Sequence, residues 1–292
     1  MKPAFDVIVC GSLHLDIVVH GPRLPRLDET VTGTHWKKLC GGKGGNQAVM
    51  SAKAGARTAM IGRVGNDDFG QTLSANLKLN DVDIQCITTD KVHATGISVA
   101  IIESAGDYGA VIVSGSNLTL RPEMAASAWS ALGGAMALIL QNEIPEAVNI
   151  AIALVAKAAG ARVVLNAAPA RPMSDKLLQL VDVLVVNRVE AEMISGLKVE
   201  NEPTAMVAMP LLSKKANDVI ITLGGEGLVF KPRGAAARFL PAEMVQVKST
   251  HGAGDCFIGV LVCALAKGTD LSGACALANQ AAAKFVAGNT LD

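Results

Sequence analysis

The sequence predicts an α/β protein: a three-layer α/β/α sandwich with a mostly parallel central sheet, plus a small β-sheet that forms a lid. From about residue 121 onward, short apolar runs rich in β-branched residues alternate with helical patterns, as in parallel sheets covered by helices on both faces. Two stretches nearer the N-terminus, about 13–40 and 95–114, have strand-like patterns without such helices. We interpret them as insertions that form the lid of a single domain spanning 1–292.

The composition argues against several classes of function. Lys plus Arg and Asp plus Glu both number 26, so no basic surface indicates a nucleic-acid or membrane partner. Aromatic residues make up only 3%, which is too few for base-stacking platforms. The six cysteines form no CxxC pair, and no apolar run approaches the ~18 residues of a membrane span. With no signal-peptide pattern, we expect a cytoplasmic protein with reduced thiols.

The predicted elements begin with a buried strand over Phe5–Cys10, whose β-branched apolar residues end at Gly11. A glycine-rich loop then precedes an alanine-rich helix that stops at Gly55. Asp67 and Asp68 begin the next helical pattern, where the helix dipole favours carboxylates. The same criteria predict strands over 58–61, 137–141, 162–166, 183–187, 218–223, 227–231, 237–240 and 242–247, and helices over 67–79, 121–132, 146–159, 174–180, 189–195, 203–215, 253–267 and 271–287.

Polar segments follow several of these predicted strands. Ligand sites in parallel sheets lie at the carboxyl ends of the strands, so we expect the functional site at the edge where those ends meet. The segments concerned are 11–16, 141–143, 166–171, 187–190 and 222–227.

The segment Gly252-Ala253-Gly254-Asp255 joins a strand-like run to a predicted helix. Its small residues let a ligand approach the unpaired N–H groups at the positive end of the helix dipole, which makes an anion site. Asp255 adds a carboxylate at the edge of that site. An anion hole with a nearby base is what phosphoryl transfer to a hydroxyl requires, although an isolated GxGD is most often an ordinary helix start.

Four glycines surround Lys43 in the segment GGKGGN at 41–46. The spacing does not fit a Walker A loop, and neither Ser nor Thr follows the lysine. Because so many glycines are entropically costly in a plain turn, we interpret the segment as a binding loop. Lys43 and Asn46 would hydrogen-bond a polyol there.

Other stretches leave two interpretations open. Asp16 either faces solvent from a strand or binds a ligand. Glu143 follows a buried run just before a proline, where an acid is either functional or a cap of the next helix. Asn187 and Glu190 have the spacing of a capping box as well as that of a ligand site. The segment 222–227 is either a tight turn or a nucleotide contact.

Together these stretches resemble the ribokinase family, the PfkB carbohydrate kinases, from Phe5 to the C-terminus. The resemblance implies a ribokinase-like fold and transfer of the γ-phosphate of ATP to a hydroxymethyl group of a sugar or nucleoside. The motifs that carry it occur in family order: GSxxxD at 11–16, GGKGGNQA at 41–48, GxDxxG at 65–70, NxAPAR at 166–171, NxxE at 187–190, TLGxxG at 222–227 and GAGD at 252–255.

The resemblance also implies a role for each matching position. Asp255 would be the base for the attacking hydroxyl, and Gly252, Ala253 and Gly254 the anion hole. The sugar would be held by His14, Asp16, Gly42, Lys43, Asn46 and Glu143. The ATP site would be lined by Asn187, Glu190, Thr222, Gly224, Gly227 and Asn279, with Glu190 acting indirectly on Mg²⁺. Because family members often dimerise through the lid, a homodimer is also among the expected assemblies.

Three features depart from the family pattern. His14 stands where ribokinases usually have an asparagine that contacts the sugar, which puts ribose itself in doubt. Ser249, in the same loop as His251, stands where they have an aspartate that helps to hold a monovalent cation, and a hydroxyl is a weaker cation ligand. The sequence also ends at Asp292, short of the family's usual last segment, which contributes to that cation loop. We therefore expect a requirement for ATP and Mg²⁺ but weak or no activation by K⁺.

The favoured hypothesis is an ATP-dependent kinase of a small sugar, a ribose-like pentose or a ketose. The first alternative is a nucleoside kinase for adenosine, inosine or pseudouridine, whose lid would need an apolar shelf for the base; Trp36 is one of few rings there. The second alternative is a sugar- or nucleotide-binding protein that has lost catalysis. The altered loop at Ser249 favours that alternative, and the intact Asp255 opposes it.

Overall fold

A large central β-sheet and a smaller second sheet organise the computed structural model, which describes residues 3–103 and 108–289. The strands are β1 (Phe5–Cys10), β2 (His14–Gly21), β3 (His35–Gly41), β4 (Thr58–Gly65), β5 (Val82–Asp83), β6 (Ile87–Asp90), β7 (Gly96–Glu103), β8 (Tyr108–Val113), β9 (Ala135–Leu140), β10 (Arg162–Asn166), β11 (Val183–Val186), β12 (Asp218–Thr222), β13 (Gly227–Lys231) and β14 (Arg238–Pro241). The helices are α1 (Lys43–Lys53), α2 (Asp68–Leu79), α3 (Pro122–Ala131), α4 (Glu146–Ala158), α5 (Asp175–Leu178), α6 (Arg188–Ser195), α7 (Glu202–Leu212), α8 (Ala253–Ala266) and α9 (Leu271–Val286).

The central sheet is mostly parallel, as predicted. Its strands lie in the order β14-β13-β12-β11-β10-β9-β1-β4-β5, and β6 also pairs with β4. All neighbours from β12 to β5 pair in parallel, whereas β13 and β14 add an antiparallel edge. The carboxyl ends of β1, β9, β10, β11 and β12 therefore meet at one edge of the sheet.

Two hydrophobic cores, one on each face of the central sheet, account for the three layers. Along β1, Ile8 and Cys10 belong to one core, and Val7 and Val9 belong to the other, as the two-residue repeat of a strand requires. Helices α3 to α7 cover the first face, and α1, α2, α8 and α9 cover the second. Because both faces are buried, the strands are continuous apolar runs.

The second sheet confirms the predicted small β-sheet. Its order is β3-β2-β7-β8, with antiparallel pairs at both ends and a parallel pair between β2 and β7. The two edge strands β3 and β8 are well exposed: β3 from His35 to Leu39, and β8 at Val111, Ile112 and Val113. Within the described ranges, no helix is long and apolar enough to cross a bilayer.

The predicted strand over 242–247 is wrong. This segment is irregular, and the strand before α8 is β14, which lies at the edge of the sheet. Met244 is 95% exposed, and among the described residues the segment pairs with no strand. Its valines, Val245 and Val247, line a cavity instead. The sequence pattern also does not predict the short strands β5 and β6.

Candidate active site

Two adjacent cavities lie at the carboxyl edge of the central sheet and meet at the start of α8. The first has a volume of about 320 Å³ and lies between the second sheet and the central sheet. The second has a volume of about 460 Å³ and lies between β13 and α9. Thr222, Gly254 and Phe257 line both cavities. Ligands in the two cavities would therefore meet at the N-terminus of α8.

The first cavity brings together most of the residues that the sequence singles out. They come from the second sheet, α1, the end of β9, α6 and the start of α8, which are far apart in the chain. The predicted site residues in its lining are His14, Asp16, Gly42, Lys43, Asn46, Glu143, Asn187, Glu190, Thr222, His251, Gly252, Gly254 and Asp255.

The start of α8 has the geometry of an anion site. Gly252, its N-cap, has a φ of 83°, a left-handed conformation that favours glycine. No heavy atom lies within 4 Å of the position that a Cβ would take at Gly254, so a ligand can approach the backbone there. The first turn of a helix has N–H groups without intrahelical partners, and the helix dipole favours negative charge beside them.

Asp255 lies in the first turn of α8 and is only 8% exposed. Each of its oxygens accepts one hydrogen bond from an amide: Asn46 Nδ2 donates to Oδ2 and Gln47 Nε2 donates to Oδ1, both at 2.9 Å. Burial raises the pKa of the Asp255 carboxyl, because removal from water disfavours the charged form. A carboxylate of this kind is suited to accept a proton from a bound hydroxyl.

Glu143 fixes the glycine-rich loop rather than the following helix. Its Oε2 accepts hydrogen bonds from the backbone N–H of Lys43, at 2.9 Å, and from the Ser12 hydroxyl. The N-cap of α4 is Pro145, without a side-chain cap, so the capping alternative for Glu143 is wrong. A Cβ at Gly44 would lie 2.6 Å from the Ser12 nitrogen, and only glycine permits this close approach of the two loops.

The second sheet contributes His14 and Asp16 to the first cavity. His14 is 4% exposed, its Nε2 has no hydrogen-bond partner, and its Nδ1 lies 3.9 Å from Glu143 Oε2. Burial lowers the pKa of His14 and raises the pKa of Asp16. Asp16 is also hydrogen-bonded to the side chain of Ser98 on β7. A Cβ at Gly41, the last residue of β3, would overlap with the Asp16 carboxylate, so a larger residue there would displace that side chain.

Asn187 and Glu190 form the capping box that their spacing predicts, and their role at a ligand site stays a prediction. They form a capping box at the start of α6: Asn187 Oδ1 accepts from the Glu190 N–H at 3.0 Å, and Glu190 Oε2 accepts from the Asn187 N–H at 2.6 Å. Both also line the first cavity. Burial raises the pKa of Glu190. The capping box therefore holds the side chains of both residues in place at the surface of the cavity.

The second cavity is largely apolar. Leu228, Val245 and Val286 are among its lining residues, together with the predicted Thr222, Gly224, Gly227 and Asn279. Asn279 Nδ2 donates to the Pro241 carbonyl at 2.9 Å, which fixes the amide and leaves its oxygen as an acceptor. Such a cavity fits a flat apolar group with a few polar atoms at its edge.

Ser249 lies outside both cavities. It lines a neighbouring cavity of about 320 Å³ with Lys53, His251, Phe285 and Gly288, and among residues 3–103 and 108–289 no carboxylate lines that cavity. The two basic side chains in this described lining do not favour a bound cation. In the part of the chain that the structure describes, no three His, Cys, Asp or Glu residues are grouped as a metal site.

The sequence analysis assigns no individual role to three polar residues at this site, of which Asn166 and Gln47 lie in its motifs. Ser98 and Asn166 line the first cavity, and Gln47 contacts Asp255. Ser98 reaches Asp16 only because β2 pairs with β7 in a register that places these two residues side by side. Gln47 lies within the GGKGGNQA motif, where its polar side chain on an apolar helix face was the available signal.

The fold, the two joined cavities and a buried carboxylate at a helix start define a phosphotransferase that acts on small molecules. The model of the pfkB family carbohydrate kinases matches residues 4–289, and the chain belongs to this family. It is therefore a phosphotransferase with an alcohol group as acceptor.

Individual proteins that are similar to this chain are ribokinases. A ribokinase of Mus musculus is 36% identical over 274 residues, 93% of this chain and 85% of that protein. A ribokinase of Haemophilus influenzae is 34% identical over 258 residues, 88% of this chain and 84% of that protein. The structure of Arabidopsis thaliana ribokinase complexed with ribose and ATP has a TM-score of 0.89 at 28% identity, covering 98% of this chain and 93% of that chain.

Proposed function

We propose that this chain transfers the γ-phosphoryl group of ATP to the hydroxymethyl group of a ribose-like sugar. The observation that carries the proposal is the position of Asp255, buried at the start of α8 where the two cavities meet. The similarity to ribokinases, one of them solved with ribose and ATP, supports the choice of acceptor and donor.

The first cavity is suited to a small polyol. Asp16, Lys43 and Asn46 line it with charged and amide groups, which hydrogen-bond hydroxyls. Its volume of about 320 Å³ is at the small end for ligand pockets. Trp36, one of the few rings in the lid, is 61% exposed and lies outside the lining of both cavities. These features favour a sugar over a nucleoside.

The second cavity would hold the adenine of ATP. Its aliphatic residues bury the base, and the free Asn279 oxygen accepts from the exocyclic amine. Mg²⁺ would accompany the nucleotide phosphates, and it usually keeps several waters, so few protein ligands are needed. Asn187 and Glu190, which line the neighbouring first cavity, are the side chains that would contact those waters. When bound, Mg²⁺·ATP supplies the transferable phosphoryl group and its charge neutralisation.

The residues of this chain orient the acceptor and move one proton. Asp16, Lys43 and Asn46 hold the sugar so that its hydroxymethyl oxygen faces Asp255. The Asp255 carboxylate accepts the proton of that hydroxyl as its oxygen attacks the γ-phosphorus of ATP. The bond between this phosphorus and the β,γ-bridging oxygen breaks, and ADP leaves with the electron pair. The N–H groups at the start of α8 stabilise the negative charge on the moving phosphoryl group.

A potassium requirement is not part of this proposal. The cavity beside Ser249 has the basic Lys53 and His251 in its lining and, within residues 3–103 and 108–289, no acid. We therefore expect equal turnover in Na⁺ and K⁺ buffers of the same ionic strength. Strong activation by K⁺ would show that a cation is held elsewhere.

We also propose that the second sheet acts as a lid and pairs with the lid of a second copy. Three consecutive residues of the edge strand β8, Val111, Ile112 and Val113, are 68%, 61% and 54% exposed. Strand residues alternate between faces, so both faces of this edge are apolar and favour association. Light scattering should give a mass of two chains, reduced to one by Val111→Lys with Val113→Lys. A monomeric wild type would refute the dimer.

An assay of ATP consumption across acceptors tests the proposed function. With Mg²⁺, we expect turnover on ribose or a related pentose or ketose. We expect kcat/KM on adenosine and inosine to be at least about tenfold lower, because a base that does not fit the first cavity weakens transition-state binding by more than about 1 kcal/mol. Preference for nucleosides would overturn the sugar assignment. Binding without turnover on any acceptor would favour a non-catalytic binding protein.

A further inference from the structure

The Asp255 carboxylate is the end of a chain of buried amide groups. Gln141 Nε2 donates to Gln47 Oε1 at 2.7 Å, and Gln47 Nε2 donates to Asp255 Oδ1 at 2.9 Å. Both glutamines are 0% exposed. These two hydrogen bonds connect the residue after β9, the middle of α1 and the first turn of α8. We call Gln141, Gln47 and their two hydrogen bonds the amide relay.

We propose that Gln47 and Gln141 are positioning residues that keep the Asp255 carboxylate ionised and oriented for proton transfer. The inference rests on the proposed function, since it assigns the amide relay a part in the same reaction. Neither glutamine lines the cavities described above, so both act through Asp255.

The direction of the hydrogen bonds depends on the charge of Asp255. An ionised carboxylate only accepts hydrogen bonds, so Gln47 must turn its NH₂ group toward Asp255. Its carbonyl then faces Gln141, which must in turn present its own NH₂ group. Every contact in the amide relay is satisfied when Asp255 is ionised. A protonated Asp255 could carry its proton at one of the remaining acceptor positions, but as a neutral acid it would accept the two amide donors less strongly than the carboxylate does.

The amide relay opposes the effect of burial on Asp255. Burial raises the pKa of this carboxyl, whereas the side-chain hydrogen bonds from Asn46 and Gln47 lower it. The two donors reach different oxygens, so the carboxylate cannot rotate without breaking one of them. A carboxylate has about four acceptor positions, which leaves others for the hydroxyl of the acceptor.

Gln141 is itself held by packing. Its Oε1 is buried and has no hydrogen-bond partner among the described residues, and a Cβ at Gly11 would overlap with that atom. The Gln141 backbone carbonyl accepts from Asn149 Nδ2 at 2.8 Å. The unpaired carbonyl costs free energy, and the Gln141 NH₂ group faces Gln47, to which it donates.

Replacement of Gln47 by leucine removes the donor and keeps most of the buried volume. Removing a hydrogen bond to a charged group should lower kcat roughly 10- to 100-fold, with KM for ribose and ATP within about twofold because neither cavity loses a contact. The acid limb of the kcat/KM profile should move to higher pH, because the ionised form of Asp255 loses a donor. Gln141→Leu should act in the same direction with a smaller loss.

Ser51→Ala is the matched control. Ser51 lies on the same helix, is 0% exposed and donates its hydroxyl to the Gln47 backbone carbonyl at 2.7 Å. The variant loses a buried hydrogen bond of α1 without touching the amide of Gln47. We expect its melting temperature to fall while the pH profile stays that of the wild type. If Gln47→Leu behaves like Ser51→Ala, with unchanged kcat and acid limb, the amide relay has no positioning role.

A measurement without turnover separates this inference from the proposed function. The pH dependence of the melting temperature, wild type minus Asp255→Asn, reports the titration of Asp255 in the folded protein. In a Gln47→Leu background this dependence should extend to higher pH. If the wild type phosphorylates no acceptor, the proposed function fails, and this shift still decides the amide relay: an identical pH dependence in both backgrounds overturns it. Should Gln47→Leu fail to fold, Gln141→Leu serves in the same comparison.

Discussion

The two cavities that meet at α8 are built from different kinds of residue. Asp16, Glu143, Glu190 and Asp255 all line the first, whereas aliphatic side chains such as Val286 dominate the second. The polar cavity requires each group to be placed within hydrogen-bond distance, because an unmade buried hydrogen bond is costly. The apolar cavity only has to bury surface. Under the proposed function, we therefore expect selection of the acceptor and the chemistry to depend on the first cavity, and donor affinity to depend on the second.

The difference also appears in how the chain builds each cavity. Loops of the first cavity are tied together by contacts such as Lys43 N–H to Glu143, and by glycines that permit close approach. The second is bounded partly by the irregular segment after β14. We expect substitutions in the first cavity to change reaction rates or sugar affinity sharply, and those in the second to have graded effects on ATP affinity.

The largest effect is expected where the cavities meet. Gly254→Val places a branched side chain into the open space between them, since no heavy atom lies within 4 Å of its Cβ position. The reacting atoms would be held apart, and kcat should fall roughly 100-fold or more. Isothermal titration should still detect ribose and ATP separately. Near-normal turnover would show that the ligands do not meet at this residue.

A smaller effect is expected from the polar cavity alone. Asp16→Asn removes the charge from a hydrogen bond to the sugar and should raise KM for the sugar roughly 10- to 100-fold. KM for ATP should stay within about twofold, because Asp16 lies outside the second cavity. Asp28→Asn, at an exposed acid, is the control. Parallel increases in both KM values would argue against two separate cavities.

The apolar cavity should respond more mildly. Ala282→Phe narrows the second cavity from α9 and should raise KM for ATP roughly tenfold, the usual cost of overpacking, without a change in KM for the sugar. Leu277→Phe on the same helix is the control, because Leu277 is 49% exposed and lies outside this cavity. An unchanged KM for ATP would place the adenine elsewhere.

The smallest effect concerns stability. Because burial raises the pKa of Asp255, the folded wild type binds more protons than the unfolded chain between the unfolded pKa and the folded pKa. The free energy of unfolding of the wild type therefore falls as pH rises through that window. Asp255→Asn does not show this decrease, because asparagine does not titrate. The melting temperature of Asp255→Asn minus that of the wild type should increase with pH. A difference that decreases with pH would mean a lowered pKa.

The layers of the fold and the start of α8 are predictable because they depend on local pattern. Strands buried on both faces are continuous apolar runs, as at Phe5–Cys10, and GAGD marks a helix start whatever surrounds it. The segment 242–247 is mispredicted for the same reason: its apolar residues pack against a cavity rather than in a sheet. Periodicity alone does not separate those two environments.

The contacts between distant residues are not predictable from this sequence alone. Gln47 lies 94 residues from Gln141 and 208 residues from Asp255. Only the packing of α1 against α8 and the order β9-β1-β4 bring them together. The pairing of Asp16 with Ser98 depends in the same way on the register between β2 and β7.

The turnover of Asp255→Asn tests the central claim most directly. We expect kcat with ribose and saturating Mg²⁺·ATP to fall roughly 10²- to 10⁴-fold, the usual contribution of a general base. Ribose affinity by isothermal titration should stay within about threefold of the wild type, since Asp16, Lys43 and Asn46 remain in place. Near-normal kcat in a folded Asp255→Asn variant would contradict the claim that this carboxylate accepts the proton.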